Sequence, residues 1–188
     1  MLSHSIMKKA AGFLVSALIF GVGCSSPGAR REPHRTTFIA GADPLLNAMV
    51  GNWVATGTIA GAKRVDDVNI HWVLNGEYLS LHEVSRMKGA DGKPTYEAIV
   101  LLELNSATHE YCCLWLDSTA GNGISSGVLG RGKANGDSIP FMFKIGNGEI
   151  FHTTFLYNRA ENSWNWVLDN ESNGKLEPFA RLTLRLED

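Results

Sequence analysis

From Gly51 onward, apolar and polar residues alternate in short runs divided by turn residues, the period-two pattern of half-buried strands. The runs predict strands over 51–60, 68–74, 78–87, 96–104, 110–117, 125–130, 139–145, 150–157, 163–169 and 179–186. Asn75-Gly76 sits between two of them and predicts a two-residue type I′ hairpin turn, because both central positions of that turn need positive φ. With that turn, Trp72 pairs with Leu79 and Ile70 with Leu81, so these four share the inward face, while His71 and His82 become diagonal neighbours on the polar face. A second hairpin around 105–108 would pair Leu104 with His109, Val100 with Cys113 and Ala98 with Trp115. Its inner face is Ala98, Val100, Leu102, Tyr111, Cys113 and Trp115, and Glu97, Glu103 and Glu110 mark the outer one.

Before the strands, residues 43–50 predict one short helix. Asp43 is a good N-cap, Pro44 suits the first helical position, and Leu45, Leu46 and Met49 fall on one face. No other helix is expected. About ten short strands in up-and-down order predict an all-β antiparallel barrel or sandwich.

The first 37 residues have a different character. Lys8 and Lys9 precede a 14-residue apolar run, 10–23, which is short for a membrane span of about 20 residues and suits the core of an export signal. Translation from Met7 would give the same signal. The run ends in Gly21-Val22-Gly23-Cys24, which resembles the lipobox of bacterial lipoproteins, although the position usually held by Leu is Gly21. That resemblance implies a lipidated Cys24 as the new N-terminus; the alternative is a general secretory signal with an incidental Cys. Ser25 after the Cys implies, by the same resemblance, the periplasmic side of the outer membrane. Residues 24–37, with two Pro and no apolar period, read as the lipidated Cys and a flexible tether, and 38–188 as the domain.

Composition narrows the function classes. With 188 residues and 44% hydrophobic content, one domain with a core is expected. The 17 basic and 19 acidic residues leave a net charge of −2, which argues against nucleic acid as a partner. From Cys24 the chain holds 15 basic and 19 acidic residues, net −4. Three Cys are too few for a disulfide scaffold or a four-Cys zinc site. Cys112 and Cys113 are adjacent on one strand, point to opposite faces and cannot bridge each other, so both are expected as thiols, with Cys113 buried.

An ordered set of motifs now gives a resemblance. Gly51-Asn52-Trp53 with Gly57, then Trp72 to Leu79, Tyr96-Glu97-Ala98 and Trp115-Leu116-Asp117-Ser118 resemble a bacterial family of calycin-like proteins classed as a domain of unknown function, and the Gly-x-Trp opening is that of lipocalins. The resemblance spans about 45–186. It implies a lipocalin-like barrel, sometimes on a lipoprotein tether, and carries no activity, cofactor or catalytic residue with it. Cys112-Cys113 and Trp164-Asn165-Trp166 depart from the family's pattern.

Several side chains remain as candidates. Trp72, Tyr111, Trp115, Trp164 and Trp166 could line an apolar cavity, core packing being the plainer role. Trp53 reads as core. Asp117, at a strand end before a Gly-rich stretch, is the weak catalytic candidate, against a simple turn-capping role. Glu83 adjoins His82 but faces the other way. His71, His82, His109 and His152 show no ligand spacing, so surface roles are expected and no metal or cofactor; a haem ligand, as in some small haem-binding barrels that the fold resembles, is the lesser alternative. The expectation is a membrane-tethered exported protein whose barrel binds a small apolar or amphipathic molecule. The alternatives, in order, are an envelope structural or interaction protein with a filled barrel and a small enzyme working at the barrel mouth.

Overall fold

Among the described residues, Asp43 starts the first helix as its sequence requires. In the computed structural model, which describes Ile39 and residues 42–119, 123–145 and 148–187, the Asp43 carboxylate accepts hydrogen bonds from the Leu45 and Leu46 amides at 3.0 and 2.9 Å. Helix α1 (Pro44–Met49) follows with Pro44 in its first turn and buries Leu45, Leu46 and Met49. The expected export signal, the lipidation expected at Cys24 and the expected tether fall outside the described residues.

Ten strands then run up and down: β1 (Gly51–Ile59), β2 (Ala62–Val73), β3 (Tyr78–Ser85), β4 (Glu97–Asn105), β5 (Glu110–Asp117), β6 (Gly130–Gly132), β7 (Ser138–Lys144), β8 (Ile150–Asn158), β9 (Ser163–Ser172) and β10 (Lys175–Leu186). Each pairs antiparallel with its sequence neighbours, and β1 pairs with β10 from Trp53↔Leu186 to Ile59↔Ala180, closing a barrel. The expected all-β, lipocalin-like barrel after one short helix is the fold.

The expected hairpin register around Asn75-Gly76 is present: Trp72 faces Leu79 and Ile70 faces Leu81. Asn75 and Gly76 adopt φ of 60° and 90°, as a type I′ turn needs, and Leu74 also turns positive at 51°, so the ladder stops at Val73↔Tyr78. The next hairpin differs from expectation by two residues. Val100 pairs with Trp115 and Leu102 with Cys113, because the Asn105 side chain caps the amides of Ala107 and Thr108 and His109 turns back at φ 53°. A slip of two preserves every face, so the inner residues are those expected.

Three strands begin away from their expected positions, β10 among them at Lys175, four residues before 179. β2 starts at Ala62, since Ala60 and Gly61 (φ 49° and 79°) form a tight turn that the sequence reading passed over. The strand expected over 125–130 is instead a four-residue helix, α2 (Gly123–Ser126), and β6 lies further on. β6 is glycine at both ends by necessity. A Cβ on Gly130 would lie 2.5 Å from the Phe143 ring, and one on Gly132 would lie 1.7 Å from the Pro140 carbonyl oxygen. β5 meets β6 only at Tyr111–Cys113, so its last four residues run beyond that ladder.

Helix α1 closes one end of the barrel. The Trp53 indole donates to the Met49 carbonyl at 2.8 Å, Trp72 to Asn47 Oδ1 at 2.8 Å and Trp164 to the Ala48 carbonyl at 3.4 Å, while the Tyr111 hydroxyl donates to Asp43 Oδ2 at 2.9 Å. Beneath it the interior is apolar, with Trp53, Trp164, Phe141, Phe155, Leu79 and Leu102 fully or almost fully buried. Leu46→Ala should therefore cost about 2–5 kcal/mol in urea unfolding. A loss below about 1 kcal/mol would show that the helix is not part of the cooperative unit.

Candidate functional site

The inward parity set by Ile70 and Leu81 continues along β2 and β3 to the end of the barrel opposite α1. It places Arg64 and Asp66 of β2, and Glu83 and Ser85 of β3, on the inner face, with Tyr96 and Asp117 on the same face of the neighbouring chain stretches. Asp66 is 0% and Glu83 1% exposed, Ser85 is buried, and Arg64, Tyr96, Trp115 and Asp117 are half-buried around them. Glu83 takes the face opposite His82, as expected, and that face is the inner one; β2 extends from Ala62, six residues before the expected start at 68, and so includes Arg64 and Asp66. The signal was available: i, i+2 steps from Ile70 reach Val68, Asp66 and Arg64.

This cluster is not a simple ion pair. Arg64 Nε is 3.5 Å from Asp66 Oδ1, its guanidinium lies over the Tyr96 ring at 5.8 Å, and its Nη1 donates to Thr95 Oγ1 at 3.4 Å. With both acids ionised, Arg64 Nε, both Asp66 oxygens and Glu83 Oε1 are buried with no hydrogen-bond partner. Burying such groups costs on the order of 1–3 kcal/mol each. A proton on Glu83 relieves part of this. Burial first, then the nearby Asp66 charge, pushes the Glu83 carboxyl up to about 8, and its proton is shared with Asp66. Burial and the Glu83 and Asp117 carboxyls hold the Tyr96 hydroxyl far above its ordinary value, so it keeps its proton. Its oxygen accepts from the Trp115 indole at 3.2 Å.

From Trp115, two residues from Asp117 on β5, an apolar wall continues across β7 to β10. Trp115 contacts Trp166 at 5.6 Å between ring centroids, Trp166 stacks on Phe155 at 4.9 Å, and Phe151 contacts both Phe143 and Phe179. The Trp166 indole donates to Thr153 Oγ1 at 2.8 Å. Of the five candidate ligand-binding residues, the structure brings Trp115 and Trp166 together here. Trp72, Tyr111 and Trp164 lie at the other end, bonded to the α1 segment. Asp117 accepts from the Thr119 amide at 2.8 Å and from its hydroxyl, the capping role weighed for it, and it also acts electrostatically on Glu83.

The remaining candidates stand apart from this cluster. His82 bonds Glu97 at 2.8 Å, His152 bonds Glu171 at 2.6 Å and His71 bonds Asn69 at 2.7 Å. Among the described residues, no group of three or more His, Cys, Asp or Glu could hold a metal ion. Cys112 and Cys113 are unbridged; Cys113 is fully buried, and burial pushes its thiol well above the ordinary range. The chain matches no protein-family model, and a search of curated proteins found no significant match.

A carboxyl with its native value raised from 4.5 to about 8 holds a proton that the unfolded chain releases. Its effect is therefore to make stability fall as pH rises from about 4.5 to about 8 and to level off above. Urea unfolding at unit pH steps should show a decline of a few kcal/mol over that window in the parent protein. Glu83→Gln should largely remove it, whereas parallel curves for the two proteins would mean that Glu83 titrates normally.

Proposed function

We propose that this protein is an exported, lipid-anchored binding protein whose barrel takes a small amphipathic molecule through the end opposite α1. The observation that carries the reading is the two-sided interior: acids, Arg64 and Tyr96 on β2 to β5, with Trp115 beside them on β5, face Trp166 and the phenylalanines of β7 to β10. A barrel serving only as a scaffold gains nothing from burying Asp66 and Glu83 without full hydrogen bonding, because apolar residues would fill the same space at lower cost. Binding sites, by contrast, combine an apolar lining with a few convergent polar groups and perturbed carboxyls.

The membrane address rests on the sequence: the short apolar run, Cys24 in its lipobox-like setting, and Ser25 after it. Ile39 exchanges hydrogen bonds with the Asn47 side chain of α1, so the chain joins the barrel at its closed end. A lipid at Cys24 would thus tether the protein by that end. The mouth would stay accessible from the aqueous compartment, since 13 residues acting as the tether expected from their composition would span roughly 20 Å on average.

Two measurements test the reading separately. Cys24→Ser should move the protein from the membrane to the soluble fraction, and continued membrane association would refute the anchor. Native mass spectrometry of residues 25–188, purified gently from the host periplasm, should show added mass that is lost on denaturation. A clean apo mass would shift the reading to a filled-barrel interaction protein.

A further inference from the structure

We infer that the acid-lined half of the barrel interior seats the ammonium group of a small amine, held by Glu83, Asp66 and Asp117, with the apolar body of the amine against Trp115 and Trp166. The inference rests on the binding-barrel reading and specifies what the barrel takes. Charge decides the head group. Facing Glu83 are Arg64 and Asp66 from β2, Tyr96 from the stretch leading into β4 and Asp117 from β5, besides Ser85 on its own strand. That set holds three carboxyls against one guanidinium. Arg64 lies 3.5 Å from Asp66, stands over the Tyr96 ring and donates to Thr95, and its Nε is the one unpartnered donor beside three unpartnered carboxyl oxygens among the described residues of the cluster.

Hydrogen bonding points the same way. Asp66 and Glu83 are more than nine-tenths buried, and Asp66 has two oxygens, Glu83 one, without a donor. An ammonium carries three donors and no acceptor, which is what such a set lacks. A carboxylate or phosphate would add acceptors to a site already short of donors. The proton shared by the acid pair occupies the same position as one of those donors, so an entering ammonium displaces it. Glu83 then releases one proton to the buffer, and the site gains the cation in exchange.

The body of the amine has a built surface to meet. Trp115 is half-exposed, lies against Trp166 and lies where β5 has run beyond its ladder with β6. Aromatic faces favour both apolar groups and cations.

The probe is phenethylammonium, tested on the full-chain protein in mild nonionic detergent beside its neutral analogue 2-phenylethanol and the anion 3-phenylpropanoate. Tryptophan fluorescence should report binding, and phenethylammonium should bind at least tenfold more tightly than either analogue. Calorimetry at pH 7 in phosphate and in Tris, which differ in ionisation enthalpy, should give close to one proton released per amine bound. Binding should weaken up to tenfold for each pH unit below about 8. Glu83→Gln should abolish proton release and flatten the pH profile, and Asp117→Asn, at the half-exposed rim, should weaken the amine but not the alcohol. Equal or tighter binding of alcohol or anion would overturn the ammonium seat and leave a binding barrel of another specificity. Amine binding without proton release would overturn the exchange with the acid pair. No response to any of the three probes would overturn the inference, while the mass measurement decides the wider reading on its own.

Discussion

Everything in this structure follows from the pairing of β1 with β10. Until that ladder forms, the sheet has two open edges and each strand has two equivalent faces. Once Trp53 to Ile59 pairs with Ala180 to Leu186, the edges are gone and every strand has one inside and one outside. Side-chain parity then becomes destiny: residues two apart share the interior, whatever their polarity. The ladder also needs a close backbone approach. At Gly57, between Arg64 and Leu182, a Cβ would lie 2.0 Å from the Arg181 carbonyl oxygen, so this inner position of the seam carries no side chain.

Closure creates two ends with different problems. At the α1 end the interior is sealed by a six-residue helix that could not persist alone, since isolated helices of that length are marginal in water. Asp43 caps it, Tyr111 holds Asp43, and three indoles donate to its backbone or to Asn47. These aromatic groups are amphipathic by construction, with an apolar body in the core and one N–H or O–H reaching the plug. Their polar atoms are thus satisfied. The opposite end follows a different principle: its polar atoms are buried and short of donors. The contrast within one barrel separates groups that serve folding from groups that do not.

Much of this was legible in the strand pattern. Nine of the ten strands, the α1 cap, the Asn75-Gly76 register and the inner faces of four strands follow from alternation and turn chemistry alone. What escaped notice has specific causes. Asp66-Asp67 reads as a solvated loop because acids are depleted in strands, so β2 was cut short just where its chemistry begins. Asn105 could cap either of two loop lengths, and only the φ of His109 fixes which. β6 is three residues long, two of them glycine, too little for any periodic signal. The type of the five aromatic candidates is plain in the sequence, but their positions along the barrel axis, which set Trp72, Tyr111 and Trp164 at the α1 end apart from Trp115 and Trp166, depend on the closed topology.

The acid pair can be weighed against what a purely structural barrel would keep. Replacing a buried charged cluster by apolar residues of similar size is often neutral or stabilising, whereas removing one member of it is costly. Glu83 and Asp66 sit among positions where Leu81, Val68 and Ala55 show that apolar side chains fit the same wall. Their burial therefore works against stability across neutral pH, and the price rises as pH climbs through the range in which the Glu83 proton would leave. Two acids buried beside one guanidinium, at a barrel end that also holds Trp115 and Trp166, are therefore not accounted for by the needs of folding.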